Sequence, residues 1–341
     1  MRRSRAVGRR TKDMAHGQPS CERLFTVCGE SLLFQTNDES IMDAAIESFD
    51  CGDGSETRSG APLVVQLFLE EERAGALPSP PDPPPQPAYR NQAHLLTISL
   101  DRDNTAVVDL TGGFSFGFVS PRMARSRSYL RYFFIEAMAL SMLGPARGLI
   151  AVHASCVVKD GVSVMICAES GGGKSTLAMA SVRRGFRLLA DDTVYVGEDA
   201  GELHLHGLPC KLRIPCDASG AMADWGTDTP RLFVNGEWKC EVDLEKRYPG
   251  SAVTRATLGV VLFLEPGLNP GGAAVERLSD EEAADRLEVH WPYNLAWTET
   301  RETRAAALLH RGAYRLRASA DPDATAEALD SFLLRLGTKT Q

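Results

Sequence analysis

Between residues 162 and 183 the sequence runs as an apolar strand, a glycine loop and an amphipathic helix in immediate succession, and this order constrains the fold more than any other feature. The strand is Val162-Ser-Val-Met-Ile-Cys167. The loop is Ala168-Glu169-Ser170-Gly171-Gly172-Gly173-Lys174-Ser175-Thr176, and the helix continues through Leu177–Arg184. Consecutive glycines let a backbone curl until several N–H groups point into one concavity, and the helix that follows adds its positive N-terminus. Such a loop grips an anion, and a lysine beside it suits the β and γ phosphates of a nucleotide. Ser175 would then place its hydroxyl on Mg²⁺. The phosphate-binding set expected is Glu169, Ser170, Gly171, Gly172, Gly173, Lys174, Ser175 and Thr176. The pattern departs from GxxxxGK[ST] at one place: Ala168 stands where the first glycine would be. A glycine-rich turn that merely starts a helix is the alternative, and the strand–loop–helix context weighs against it.

One helix further on, the apolar run Phe186–Ala190 ends in Asp191-Asp192. Carboxylates at the carboxyl end of a strand face the ligand crevice of an open α/β sheet. One could take a proton from an acceptor hydroxyl while the other orients the metal or its water. A solvated turn is the competing reading, since aspartate is common in turns. His153 lies just upstream of the loop, on the preceding strand; taken alone it would read as a core histidine.

The chain has 341 residues, enough for two domains, and a net charge of −8, which argues against a general nucleic-acid or membrane-surface binder. Residues 1–20 read as a disordered tail, basic at its start but with no apolar segment to make a secretion signal, and Met14 is an alternative start. Residues 21–120 read as a β-rich N-terminal domain. Short strand-like runs occupy 22–35, 62–70, 94–100, 105–110 and 114–120, and a proline-rich loop covers 76–90. Residues 121–341 read as an α/β P-loop domain. It opens with a helix over 122–143 that Gly144-Pro145 should stop. Further strands are expected near 203–206, 211–214, 257–264 and 313–318, with a last helix from about Pro322 to Leu336. No CxxC pair occurs among the 8 cysteines, and with no secretion signal reduced thiols in a cytoplasmic protein are expected.

The stretch from His153-Ala-Ser-Cys, through Gly161-Val-Ser-Val-Met-Ile-Cys-Ala-Glu-Ser-Gly-Gly-Gly-Lys-Ser-Thr, to Arg184-Gly-Phe-Arg-Leu-Leu-Ala-Asp-Asp192 resembles the catalytic core of HPr kinase/phosphorylase and its relatives. That family shows a His-small start, a GVG-V-L-I strand, a G-x-SG-x-GKS loop, an arginine-glycine helix end and then ADD, in this order and spacing. The resemblance implies a phosphoenolpyruvate carboxykinase-like P-loop kinase domain, ATP and Mg²⁺ as cofactors, and transfer of the γ-phosphate to a serine of a protein or peptide. By carry-over Lys174 and the loop bind phosphates, Ser175 and Asp192 hold the metal, Asp191 is the base, and His153 lies near the transferring phosphate. Oligomeric assembly is a further implication.

The chain departs from the family where an E-I-R-G segment follows the ADD strand: Leu203-His204-Leu205-His206-Gly207 puts a histidine at the glutamate position. Alternation would set Glu202, His204 and His206 on one face, so a carboxylate could still approach the site. The family's proline-glycine-arginine-asparagine segment is not found; Glu265-Pro-Gly-Leu-Asn269 is a poor substitute. Phosphorylase activity and HPr as substrate therefore both stay open, and divergent relatives that act as tailoring kinases in peptide biosynthetic clusters are the nearer comparison. A small-molecule kinase and a non-catalytic nucleotide-binding regulator stay open as alternatives. His204, His206, Cys210 and Cys216 match no familiar zinc module and read as structural. Trp291, Tyr293 and Trp297 read as core, and Arg301 and Arg304 as a solvated face.

Overall fold

A computed structural model describes residues 18–51, 57–58, 60–70, 85–199, 201–216, 229–267, 272–290 and 305–337. The expectations for the N-terminal tail before residue 18, for the prolines between 77 and 84, and for Trp291, Tyr293, Trp297, Arg301 and Arg304 lie outside these residues.

Alternating apolar residues in the first third build seven strands: β1 (Cys21–Val27), β2 (Glu30–Thr36), β3 (Leu63–Leu69), β4 (Ala88–Gln92), β5 (Leu95–Ser99), β6 (Thr105–Asp109) and β7 (Phe114–Val119). They form one sheet in the order β1-β2-β3-β7-β6-β5-β4. Period-2 alternation puts Leu32, Phe34, Leu63, Val65, Leu67, Ile98 and Val108 on one buried face. That face packs on α1 (Glu39–Phe49), whose Asp38 cap accepts from the amides of Ser40 and Ile41, and on the helical run beyond β7. Strand pattern alone missed α1, although Ile41, Met42, Ala45 and Phe49 carry its helical spacing. The residues expected as the end of a proline-rich loop instead enter β4, an edge strand exposed along its length.

The helical run is broken into α2 (Pro121–Arg125), α3 (Arg127–Leu130), a π-helical segment Arg131–Glu136 and α4 (Ala137–Arg147). The expected stop at Gly144-Pro145 does not occur. Pro145 sits in the last turn, where its missing N–H removes one bond only, and the helix closes on Gly148 at φ 71°. There the Gly148 amide donates to the Gly144 carbonyl at 2.7 Å and the Leu149 amide to Leu143 at 3.3 Å.

Next come β8 (Ile150–Val152), β9 (Ser155–Lys159), β10 (Val162–Cys167), α5 (Lys174–Arg183), β11 (Arg187–Ala190), β12 (Val194–Asp199), β13 (Glu202–His206) and β14 (Leu212–Pro215). They are followed by β15 (Arg231–Val234), β16 (Glu237–Val242), α6 (Leu244–Arg247), β17 (Arg255–Thr257), β18 (Val260–Glu265), β19 (Ala274–Arg277), α7 (Asp280–Glu288), β20 (Ala313–Arg317) and α8 (Pro322–Gly337). The central sheet has the order β11-β9-β10-β18-β20-β19, with β10 parallel to β18 and β18 parallel to β20. Asp160 at φ 50° and Gly161 at φ 79° turn β9 back onto β10 as a tight hairpin. Leu177, Ala178, Leu329 and Phe332 from α5 and α8 cover one face of this sheet. The other face meets a four-stranded sheet, β17-β13-β12-β8, through Val194, Val196 and Leu205, and α7 through Ala283 and Leu287. A small sheet, β14-β16-β15, completes the mixed α/β architecture.

The expectation of uniformly reduced thiols is corrected. Cys51 pairs with Cys210 and Cys216 with Cys240 as disulfides, with Cα–Cα distances of 5.1 and 5.3 Å. Separations of 159 and 24 residues leave no local trace of either pairing in the sequence. Cys21, Cys28, Cys156 and Cys167 are free thiols.

Candidate active site

The glycine loop leaves the buried end of β10 and turns directly into α5. Gly171 (φ 76°) and Gly173 (φ 89°) take the left-handed conformation that side chains disfavour, so the loop needs glycine at both. Ala168 lacks that requirement: it is buried and its φ is not positive, so alanine serves where the general pattern has glycine. The Gly172 amide closes the turn on the Glu169 carbonyl at 3.0 Å. The opening amides of α5 have no carbonyl one turn back and face outward as donors. Lys174 is buried and folds over its own loop, donating to the carbonyls of Ala168 at 2.7 Å and Glu169 at 3.1 Å. Burial lowers its ammonium pKa, while the charges of Asp192 and, less strongly, Asp191 oppose that shift.

β11 pairs antiparallel with β9, and a register irregularity between Leu188 and Ala190 delivers Asp191 and Asp192 at its end. The Ser155 hydroxyl donates to the Asp191 backbone carbonyl. Asp191 is 8% exposed. Its Oδ2 accepts the Arg213 amide at 2.9 Å, whereas Oδ1 is buried with no hydrogen-bond partner. Desolvation pushes its pKa up to about 6, against the pull of the Arg213 amide and the Ser175 hydroxyl. Asp192 is its opposite, with a side chain 61% exposed.

His153 Nδ1 donates to the Asp192 carbonyl at 3.0 Å and lies 3.6 Å from Asp192 Oδ1. Because a carbonyl can only accept, that bond puts the proton on Nδ1 and leaves Nε2 bare. Burial lowers the ring's pKa, against the Asp192 charge, and Lys174 lowers it further. The His153 amide donates to the His290 carbonyl at 2.9 Å. The His290 ring, buried and affected by the charges of Lys174 and His153, is pushed down to about 4.

Lys174, Ser175, Asp191, Asp192 and His153 thus come together at one end of the central sheet. β13 contributes no carboxylate to them. Burial is the largest influence on His204 and His206, and the charges acting on them include Arg255, Arg58, Asp199 and, for His204, Glu202, but not those of the loop. Glu202 lines a separate cavity of ≈ 240 Å³ with Leu258, His310 and Arg311. Cys210 and Cys216 are committed to disulfides, so the zinc alternative loses its thiols.

Behind Asp191 lies a buried ionic cluster that sequence reasoning missed. Arg213 meets Glu136 at 2.8 Å and Glu241 at 2.9 Å, and Arg131 meets Glu241 at 3.1 Å and Glu136 at 3.3 Å. The Ser48 hydroxyl of α1 adds a donor to Glu136 at 3.0 Å. Two cations and two anions cancel, and the π-helical segment supplies both Arg131 and Glu136. Arg213, His290 and the nearby Lys239 carried no motif; only their neighbours in the fold reveal them.

No known family model matches the chain. Among curated proteins it is 35% identical over 95 residues to an HPr kinase/phosphorylase of Levilactobacillus brevis, covering 28% of this chain and 30% of that one. It is 40% identical over 63 residues to an HPr kinase/phosphorylase of Exiguobacterium, covering 18% and 20%. The chain is HPr-kinase-like. The HPr-kinase-like match spans less than a third of either curated relative's length. Among solved structures, the HPr(Ser) kinase/phosphatase of Coxiella burnetii aligns at 15% identity and a TM-score of 0.31, over 56% of this chain and 94% of that one.

Proposed function

We propose that this chain is an ATP-dependent serine kinase acting on a protein or peptide, with a P-loop domain of phosphoenolpyruvate carboxykinase type over residues 121–341 and a β-rich domain over 21–120. The observation that carries the reading is the unpartnered, buried Oδ1 of Asp191 beside the Lys174 loop. A carboxylate oxygen left without a donor in a desolvated site is matched to a group that brings its own proton, such as an acceptor hydroxyl.

The backbone nest of residues 169–176 would hold the polyphosphate, and Lys174 would leave its loop carbonyls for the β and γ phosphates. The acceptor hydroxyl would lie against Asp191 Oδ1 and give up its proton there. Its oxygen forms a bond to the γ-phosphorus as the bond to the β–γ bridging oxygen breaks, releasing ADP. His153, held by Asp192, would orient the transferring group. Among the described residues no cluster of three or more His, Cys, Asp or Glu can hold a metal, so Ser175 and Asp192 are the protein's offer to Mg²⁺. That sparse set fits an ion that keeps several waters and takes phosphate oxygens as ligands. Bound there, Mg²⁺ would neutralise charge on the phosphates.

ATP as donor argues for the cytoplasm, where the two cystine pairs would face reduction. The test is titration with nucleotide followed by turnover. The wild type should bind ATP, and Lys174→Ala should weaken binding by about 100-fold. Mass spectrometry of candidate acceptors should find phosphoserine with the wild type and none with Asp191→Asn. Tight nucleotide binding without transfer to any acceptor would favour the regulator, and transfer to a metabolite would favour the small-molecule kinase.

A further inference from the structure

Lys239 lies outside every motif in the sequence, yet the fold brings it to the candidate site. It sits on β16, where Pro215 of β14 pairs with it across the ladder and Arg213 pairs with Glu241 two residues along. Side chains two apart on a strand share a face, so Lys239 lies on the face of Glu241, whose carboxylate meets Arg213 and Arg131. Arg213 is the residue whose amide holds Asp191 Oδ2. The charge of Lys239 reaches Lys174, Asp191 and His153, as a minor influence on each, in keeping with its place on that ladder. Its one ion-pair partner among the described residues is Glu237, at 3.4 Å and itself 38% exposed. The Lys239 side chain is 19% exposed. A mostly covered lysine with a single loose, solvated partner, whose charge reaches Lys174 and Asp191, is free to meet an anion.

We propose that Lys239 is a second phosphate-binding cation that contacts the terminal phosphoryl group of a bound nucleoside triphosphate. This rests on the nucleotide reading of the loop and adds to it. Lys174 is placed by the loop itself and serves both diphosphate and triphosphate. Lys239 joins the site from the β14–β16 ladder whose Arg213 amide holds Asp191, the proposed base, and the phosphate transferred beside that base is the third. A triphosphate brings more negative charge than Lys174 alone offsets, with two aspartates already present, and a second cation offsets the part that is transferred.

The experiment is calorimetric titration of the full chain, with Mg²⁺, by ADP and by a non-hydrolysable ATP analogue, for wild type, Lys174→Ala, Lys239→Ala and Lys239→Arg. Expected is a loss of about tenfold in triphosphate affinity for Lys239→Ala, a change under about twofold for ADP, and recovery of most of the loss in Lys239→Arg. Retained ADP binding also shows that Lys239→Ala is folded. An unchanged ratio of triphosphate to ADP affinity in Lys239→Ala overturns the proposal; if Lys174→Ala meanwhile weakens both affinities, the nucleotide reading survives without it. A wild type that binds neither nucleotide removes both.

Discussion

Asp191 is ionised at neutral pH in a place that disfavours its charge. Its folded pKa of about 6 exceeds the ordinary carboxylate value because burial outweighs the Arg213 amide. A raised carboxyl pKa favours the fold fully at a pH below about 4, and that contribution is lost as pH climbs through 6. A shift of about two units corresponds to about 3 kcal/mol. Asp191→Asn should therefore unfold later in denaturant than wild type at pH 8, by up to about 3 kcal/mol, and gain nothing at pH 4. The same substitution should lower phosphoryl transfer by about 10²–10⁴-fold. A variant equally stable at pH 8, or fully active, would refute this assignment of strain to function. The aspartate pair itself was legible, because Asp-Asp at the end of an apolar run downstream of a glycine loop is a local signal. That one aspartate would be buried and the other exposed was not, since the difference comes from Arg213, 22 residues away.

At the scale of elements, the strand–loop–helix unit was legible because its determinants are contiguous: apolar run, glycines, amphipathic helix. The element that steers it from behind was not. Gly207, just past β13, passes so close to β11 that a Cβ there would collide with the Leu189 carbonyl, two residues before Asp191. Only glycine permits this approach, and it fixes where β11 delivers its aspartates. Gly207→Ala should cost about 1–3 kcal/mol in chemical denaturation and reduce turnover more than nucleotide affinity. A fully stable and active variant would show that β11 tolerates the shift. The helix over 122–143 was legible as helical but not in its breaks. The π-helical segment exists where Arg131 and Glu136 are both turned into the ionic cluster, and periodicity read along one chain carries no information about that partner.

Across the whole molecule, that cluster joins the two ends of the chain's design. Ser48 belongs to α1 beneath the seven-stranded sheet, Arg131 and Glu136 to the helical run beyond it, and Arg213 and Glu241 to the small sheet beside the site. Glu136→Gln would leave two buried guanidiniums facing one carboxylate and should destabilise the protein by about 3–5 kcal/mol. It should also loosen the Asp191 setting, read as a lower turnover in whatever fraction stays folded; a melting curve identical to wild type would show the cluster to be ornamental. None of this was legible, because Arg131 and its partner Glu241 are 110 residues apart and a lone arginine or glutamate in sequence reads as surface.

The two cystines flank a single strand. Cys210 lies just before β14 and Cys216 just after it, and between them the Arg213 amide holds Asp191. Oxidised, β14 is a beam bolted at both supports, tied at one end to the segment after α1 and at the other to β16. In a thiol-rich buffer it keeps its ladder to β16 but loses both bolts. Two preparations differing only in their handling would then hold the same aspartate with different stiffness.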